Sequence, residues 1–187
     1  MKSKLSFGTF LLPLMLIFFS SSCQKEAGDV ISDENMGSSA LIAASGGTEA
    51  RMLETELLKS VRQSTSRFNS TTQAIQAGYM PDDHCVSLPG VGGMGYHWVN
   101  RSLVDPVFDP LNPEALLYAT GPGGNLRLVA VEYLVVNVGQ AAPMFGNQAF
   151  RVGGAPLPVP HWTLHVWLHE NNPSGMFIAF NPNITCP

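Results

Sequence analysis

One run of residues constrains the fold of this chain more than any other. Between Leu126 and Val136, alternate residues would share a face of a strand, and Val, Leu, Ala or Tyr fill most positions on both faces. A strand that is apolar on both faces is usually a central one, because only a central strand is covered from two sides. The run therefore predicts a sheet with other parts of the chain packed on each face.

Glu132 lies in the middle of this run. A buried carboxylate without a partner is costly or takes up a proton, so it needs a cation, hydrogen-bond donors or a metal ion. One interpretation is a structural ion pair with an arginine, and the other is a functional carboxylate. The arginines considered for the ion pair are Arg101, Arg127 and Arg151.

The segment before the strands is helical in pattern. No proline or glycine interrupts residues 49–77, and apolar residues recur there at roughly helical spacing. Polar residues thin the apolar face after Gln63, so one long helix and two helices broken near Ser64 both fit. Gly78 is well placed to end the helical region.

After Pro81, glycine and proline separate short runs that are rich in Val, Leu, Tyr and Trp. Gly121–Asn125 predicts a tight turn, and therefore an antiparallel hairpin between the runs on either side of it. The fold class is α+β, with an N-terminal helix or helix pair packed on an antiparallel β-sheet that can curl into a half-barrel. Besides Leu126–Val136, the predicted strands are Gly95–Asn100, Ala115–Ala119, Trp162–Leu168 and Met176–Phe180.

Histidines recur every four residues at His161, His165 and His169. The residues between them alternate with an apolar set, which favours a strand, as do the Trp, Val and Thr content and the prolines just before it. Histidines four apart on a strand are ~13 Å apart and cannot share one ion, so His165, the central one, is the choice for a site. On a helix, all three would lie on one face, as in helical metal sites.

His97 lies in a short aromatic run after a glycine-rich loop, and a structural role and a ligand role are both open for it. His97, Glu132 and His165 are each polar residues at the middle of an otherwise apolar or aromatic strand. We predict that they converge and could hold a divalent transition metal with a position open for water or substrate. A metal-dependent enzyme is one function that this set would serve.

A binding module ranks slightly above the enzyme, because the metal set comes from separate segments and not from one tight motif. It would hold a small molecule or an envelope protein in an aromatic pocket. A purely structural envelope role is the third alternative. The predicted pocket residues are Tyr96, Trp98, Tyr133 and Trp167.

The N-terminus predicts where the protein is located. Lys2 and Lys4 precede a short apolar run, and three serines precede Cys23. This is the layout of a secretory signal peptide, and the run is too short to span a bilayer comfortably, which takes ~20 residues. The cysteine after small residues resembles a lipoprotein cleavage site, although Ser20 stands where a large aliphatic residue is usual.

We therefore expect a signal peptide over residues 1–22, a lipidated Cys23 with a flexible tether to residue 49, and one globular domain over residues 50–187. Two or more acyl chains would hold the protein on an extracytoplasmic membrane surface, the outer membrane where the cell has one. Ordinary cleavage without lipid is the alternative. Loss of the two N-terminal lysines changes the formal net charge from −4 to −6, so nucleic acid is a poor partner.

Two cysteines remain besides the lipidation site. In an oxidising compartment, Cys85 and Cys186 predict a disulfide. The alternative is a catalytic Cys85 thiolate activated by the neighbouring His84.

The chain also resembles a known family between Arg67 and Pro187. The segments AIQAGYMP, GGMGYHWVN, DPLNPEALLY, LRLVAVEY, HWTLHVWLHENNPSGMF and NPNITC occur there in order. In these segments the chain is similar to an uncharacterised family of secreted bacterial proteins, over about two thirds of its length. The resemblance implies one intact secreted domain and brings no activity with it.

Overall fold

The computed structural model describes residues 34–187, with side chains described at residue 49 and from residue 51 onward. The predicted signal peptide and Cys23 lie outside the described residues, and the predicted tether is described only from residue 34. Among the helices of the described part, none combines the length and apolar character that crossing a membrane requires.

The helical region consists of α1 (Glu34–Thr65), a 3-10 turn (Ser66–Asn69) and α2 (Thr71–Gln76). Of the two predicted alternatives, the chain takes the broken form, and α1 begins well before the predicted start at residue 49. The Ser70 side chain accepts a hydrogen bond from the Gln73 backbone N at 3.4 Å and so caps α2. Gly78, with a φ of 95°, follows the helical region as predicted.

Eight strands follow, and six of them form one antiparallel sheet in the order β1-β2-β3-β4-β8-β7. The predicted α+β class is confirmed, because helices pack on a curled, half-barrel antiparallel sheet. A separate two-stranded hairpin joins β5 and β6. The strands are β1 (Cys85–Leu88), β2 (Gly92–Val99), β3 (Ala115–Thr120), β4 (Leu126–Val136), β5 (Met144–Phe145), β6 (Gln148–Ala149), β7 (Arg151–Val152) and β8 (His161–Val166).

The strand predicted at Met176–Phe180 is wrong, because side chains take the place of a partner strand there. The Ile178 carbonyl accepts hydrogen bonds from Trp167 Nε1 at 2.7 Å and from Asn172 Nδ2 at 3.0 Å. Asn172 Nδ2 also donates to the Phe180 carbonyl at 3.1 Å. The Ile178 and Phe180 carbonyls are therefore satisfied without a ladder.

The two faces of the sheet are covered by different parts of the chain. On the face that we call the helix face, sheet residues such as Tyr118 and Tyr133 pack with Val61, Phe68 and Ala74 of the helical region. On the opposite face, which we call the cavity face, the second apolar cluster contains Leu117, Leu134 and Ile184, among others. The residues near the chain end therefore cover part of the cavity face.

A covalent bond fastens that chain end. Cys85 of β1 and Cys186 form a disulfide with a Cα–Cα distance of 5.6 Å, so the predicted pairing is confirmed. The sulfur of Cys85 is consequently not a free thiolate, and the prediction of a nucleophilic Cys85 activated by His84 is wrong.

Candidate metal centre

The strand register places the three predicted residues on the cavity face. Glu132 of β4 is directly opposite His165 of β8, and His97 of β2 is opposite Leu117 of β3. Residues directly opposite each other in an antiparallel pair point to the same side of the sheet. Because β3 separates β2 from β4, His97 and Glu132 are not on neighbouring strands.

Two small residues let His97 approach Glu132 across β3. Ala115 of β3 is opposite Glu132 and is fully buried. Its side chain is only a methyl group, whereas a longer side chain there would fill the space between His97 and Glu132. Gly95 of β2 has a φ of 94°, and a Cβ atom there would lie 2.2 Å from the Tyr118 carbonyl oxygen. A side chain at position 95 would therefore push β2 away from β3.

The three side chains converge at one point. His97 Nε2 lies 3.5 Å from Glu132 Oε2, and His165 Nε2 lies 3.6 Å from Glu132 Oε1. One ligand atom from each residue lies within 4.8 Å of those from the other two. All three residues are buried, with exposed fractions of 7% for His97, 2% for Glu132 and 6% for His165.

The distances are long for hydrogen bonds and suited to a shared ion. N–H···O bonds are ~2.7–3.2 Å long, and Glu132 Oε2 and His165 Nε2 are buried without any hydrogen-bond partner. Ligand atoms ~2.0–2.2 Å from a tetrahedral metal lie about 3.3–3.6 Å from one another. The donor types therefore suit a metal ion held by two imidazole nitrogens and one carboxylate. The two histidine–glutamate separations match its ligand spacing, within a set that spans up to 4.8 Å.

Thr163 holds the carboxylate in place. Its Oγ1 donates a hydrogen bond of 2.6 Å to Glu132 Oε1, which fixes the carboxylate and leaves Oε2 free. Such a bond to a ligand orients it toward the ion. We did not predict Thr163 from the sequence, although it lies two residues before His165 on the same strand and therefore on the same face.

Burial keeps the two imidazoles neutral. Burial lowers the pKa of His165 to about 4. Burial also lowers the pKa of His97, against an opposing effect from the Glu132 carboxylate. Burial raises the pKa of Glu132, while His97 and the Thr163 hydroxyl act in the opposite direction. Neutral imidazole is the form that binds a metal, so the histidines need not lose a proton first near neutral pH.

A cavity of about 500 Å³ opens beside the three residues. Much of its wall is apolar and includes Val86, Met94, Pro156 and Phe177. Asp82, His84 and Arg151 also line it, and all three are exposed. A small molecule that enters this cavity would meet His97, Glu132 and His165.

The structural ion pair predicted between Glu132 and an arginine is wrong. Arg127 instead pairs with Glu170, while Arg101 and Arg151 are exposed. The partners of Glu132 are the two histidines and Thr163. The sequence shows which arginines are available and does not show which of them comes within reach of Glu132.

The four residues predicted to line one aromatic pocket do not do so together, since they divide between the two faces, although Tyr96 and Trp98 line a second cavity. Trp98 packs against Tyr118 on the helix face with ring centroids 4.6 Å apart, and Tyr133 is fully buried in the same cluster. Tyr96 packs against that cluster too. Trp167 belongs to the cavity-face cluster, and its Nε1 donates to the Ile178 carbonyl.

The other histidines of β8 and its continuation do not join the site. His161 is buried, with Nδ1 2.8 Å from the Val159 carbonyl. His169 Nε2 lies 3.1 Å from Thr65 Oγ1 of α1. The strand interpretation is thus the correct one, and His165 is the histidine of the three that reaches Glu132.

Comparison with known proteins adds no template for this site. No protein-family model, no curated protein and no solved structure matches the chain. Function is therefore inferred from the residues and their geometry.

Proposed function

We propose that this domain binds a divalent transition metal ion through His97, Glu132 and His165, and that the open coordination position of the ion faces the cavity. One observation carries the proposal: two buried atoms without hydrogen-bond partners lie in this set, Glu132 Oε2 at 3.5 Å from His97 Nε2 and His165 Nε2 at 3.6 Å from Glu132 Oε1. Unpaired buried polar atoms are costly, and an ion between them would offset that cost.

The donor set favours one class of metal. Two imidazole nitrogens with one carboxylate suit Zn²⁺ and its transition-metal neighbours, whereas Mg²⁺ and Ca²⁺ prefer oxygen ligands. Catalytic zinc sites commonly combine three such protein ligands with one open position. A bound ion would supply Lewis acidity at the cavity, which is the chemistry that a metal-dependent enzyme needs.

The location of the domain forms part of the proposal. We keep the expectation that Cys23 is lipidated and that the domain is held outside the cytoplasm on a bacterial membrane. The Cys85–Cys186 disulfide supports an oxidising compartment, because such bonds persist there and are rare in the cytosol. An envelope-protein partner is not needed to explain the cavity, since its size suits a small molecule.

Metal analysis of protein purified without a histidine tag tests the site. We expect about one equivalent of zinc after reconstitution and a loss of zinc affinity of more than ~100-fold in His165→Gln, because a direct ligand is removed. His169→Gln is the matched control, since His169 lies on the same segment and contacts Thr65 instead of the site. Equal zinc affinity in the wild type and His165→Gln would contradict the proposal.

Membrane fractionation tests the anchor. Cys23→Ser should move the protein from the membrane fraction to the soluble fraction, because the acyl chains have no attachment point. If the variant stays wholly membrane-bound, the lipoprotein proposal fails and the metal proposal is unaffected.

A further inference from the structure

We infer that the open position of this metal centre takes the carboxylate of a small organic anion whose body is apolar. The inference rests on the proposed function and extends it to the class of ligand. Three features of the cavity carry it: the charge that the three protein ligands leave uncompensated, the apolar wall, and the placement of Arg151.

The first feature is charge. One ionised carboxylate and two neutral imidazoles compensate half of the charge of a divalent ion, because Glu132 is the acidic member of the set. The remaining positive charge lies among side chains that are at most 7% exposed. Uncompensated charge is costly where water is excluded, so the open position favours an anion over a neutral group.

The second feature is the wall of the cavity. Val86, Met94, Pro156 and Phe177 line it, and its volume of about 500 Å³ is within the usual range for small-molecule sites. Burying apolar surface is favourable at about 25 cal/mol per Å², so an apolar body adds affinity here. A simple inorganic anion would leave this wall in contact with water.

The third feature is Arg151. It is opposite Thr163 in the β7–β8 register, and the Thr163 hydroxyl is bonded to Glu132, so Arg151 lies on the site's side of the sheet. No ion pair of Arg151 occurs among residues 51–187. A guanidinium group donates charged hydrogen bonds to carboxylate oxygens, so Arg151 would position the oxygen that the metal leaves free.

The other charged and titratable groups at the rim do not replace Arg151. Asp82 is acidic, and its Oδ1 accepts a hydrogen bond from the His84 backbone N at 2.8 Å. This bond ties the carboxylate into its own turn. Asp82 would repel a second negative charge, which favours a ligand with one carboxylate over a dicarboxylate.

Calorimetry on the zinc-loaded protein tests the inference with three probes. The probes are 4-phenylbutyrate, its neutral counterpart 4-phenylbutanamide, and acetate, which lacks the apolar body. We expect 4-phenylbutyrate to bind at least about tenfold more tightly than either of the others. The visible spectrum of the cobalt-loaded protein should change with 4-phenylbutyrate and not with the amide, because only the carboxylate enters the coordination sphere.

Arg151→Gln should weaken 4-phenylbutyrate about tenfold and leave zinc affinity unchanged, because a charged hydrogen bond is lost outside the metal ligands. Arg101→Gln, at another exposed arginine, is the control and should change neither. Equal affinity for the acid and the amide would overturn the anion, and equal affinity for acetate and 4-phenylbutyrate would overturn the apolar body. An unchanged affinity of Arg151→Gln for 4-phenylbutyrate would overturn the role of that arginine. Failure of the proposed function would instead appear earlier, as absence of zinc binding.

Discussion

The helix face and the cavity face of the same sheet differ in how their buried polar atoms are grouped. On the helix face, the Tyr118 hydroxyl donates to the Phe68 carbonyl at 2.6 Å, and the Tyr79 and Tyr133 hydroxyls donate to proline carbonyls at 2.7 Å. On the cavity face, Glu132 Oε2 and His165 Nε2 have no hydrogen-bond partner. Unpaired buried atoms also occur elsewhere, at Trp98 Nε1 and Trp162 Nε1 among the helix-face residues and at His161 Nε2. Those of Glu132 and His165 differ because their side chains converge with that of a third potential ligand, His97.

The difference between the two faces shows that burial of a polar residue does not by itself indicate a functional site. Buried polar groups in a core are normally hydrogen-bonded, so unpaired ones that converge are a stronger sign of a site than burial itself. The two faces are also held differently, since helices cover one, while a disulfide fastens the chain end whose Ile184 packs on the other. The following predictions test this contrast, in order of decreasing effect.

The largest effect is expected from the disulfide that fastens the cavity face. The paired substitutions Cys85→Ala and Cys186→Ala should lower the free energy of unfolding by up to ~4.7 kcal/mol, because the bond closes a loop with a sequence separation of 101. Denaturant unfolding of both proteins measures the difference. Unchanged stability would mean that the cavity face holds together without the bond, and free thiols in the wild type would remove the premise.

Glu114 tests whether a buried carboxyl alone behaves like a site. Glu114 is 1% exposed, and burial raises its pKa to about 7, while a hydrogen bond from the Leu134 backbone N at 3.0 Å opposes the shift. Since the folded pKa is above the ordinary value of 4.5, its contribution to stability is present below about pH 4.5 and lost as pH rises through about 7. Glu114→Gln should therefore gain stability over the wild type by roughly 3 kcal/mol between pH 4.5 and pH 8.

The measurement is the free energy of unfolding of Glu114→Gln and of the wild type across that pH range, and the difference between the two proteins is taken at each pH. The difference isolates Glu114 from His165, whose lowered pKa makes stability fall as pH falls from 6.5 toward 4. A flat difference would show that the Glu114 carboxyl keeps an ordinary pKa. Zinc affinity should stay unchanged, since Glu114 has its hydrogen bond and lies outside the set of three.

The effect of Glu132→Gln on the free energy of unfolding should change sign when zinc is added. Without metal, the amide replaces a buried carboxyl group that has an unpaired oxygen and whose charged form burial disfavours, and we expect the free energy of unfolding to rise by roughly 1–3 kcal/mol. With excess zinc, the wild type gains stability from binding and the variant should become the less stable one. Thermal unfolding with EDTA and with zinc measures both. Destabilisation under both conditions would indicate a structural carboxylate.

The smallest effect is expected on the helix face. Tyr118→Phe removes the hydroxyl that donates to the Phe68 carbonyl, and a net loss of about 1–1.5 kcal/mol is typical for one hydrogen bond. Zinc affinity should be unaffected, because Tyr118 packs on the opposite side of the sheet. A weakened zinc site in this variant would show that the two faces are coupled.

Much of the sheet could be predicted from local pattern. The run that is apolar on both faces gave β4 its observed bounds, Leu126–Val136, and the glycine-rich turn gave the hairpin with β3. β5, β6 and β7 could not be predicted, since a strand of two residues has no measurable alternation. Met176–Phe180 shows the converse, because an apolar run looks like a strand even where side chains bind its carbonyls.

The sequence was sufficient to predict which three residues form the site, and insufficient to predict how the fold brings them together. His97, Glu132 and His165 stood out because each interrupts an apolar or aromatic strand. The position of β3 between His97 and Glu132, and the role of Ala115 in letting them meet, depend on strand order and curvature. Neither property is written in the local sequence. Thr163 was missed because a threonine on a strand is unremarkable until its partner is known.

The placement of the three ligands on β2, β4 and β8 also has a kinetic consequence. No short peptide of this chain holds even two of the three ligands together, so the unfolded chain offers no local version of this site. An ion at this site would be captured only after the sheet has assembled, and its residence time would be limited by opening of the strands. A substitution that slows amide hydrogen exchange of β4 and β8 should therefore also slow the rate of zinc loss.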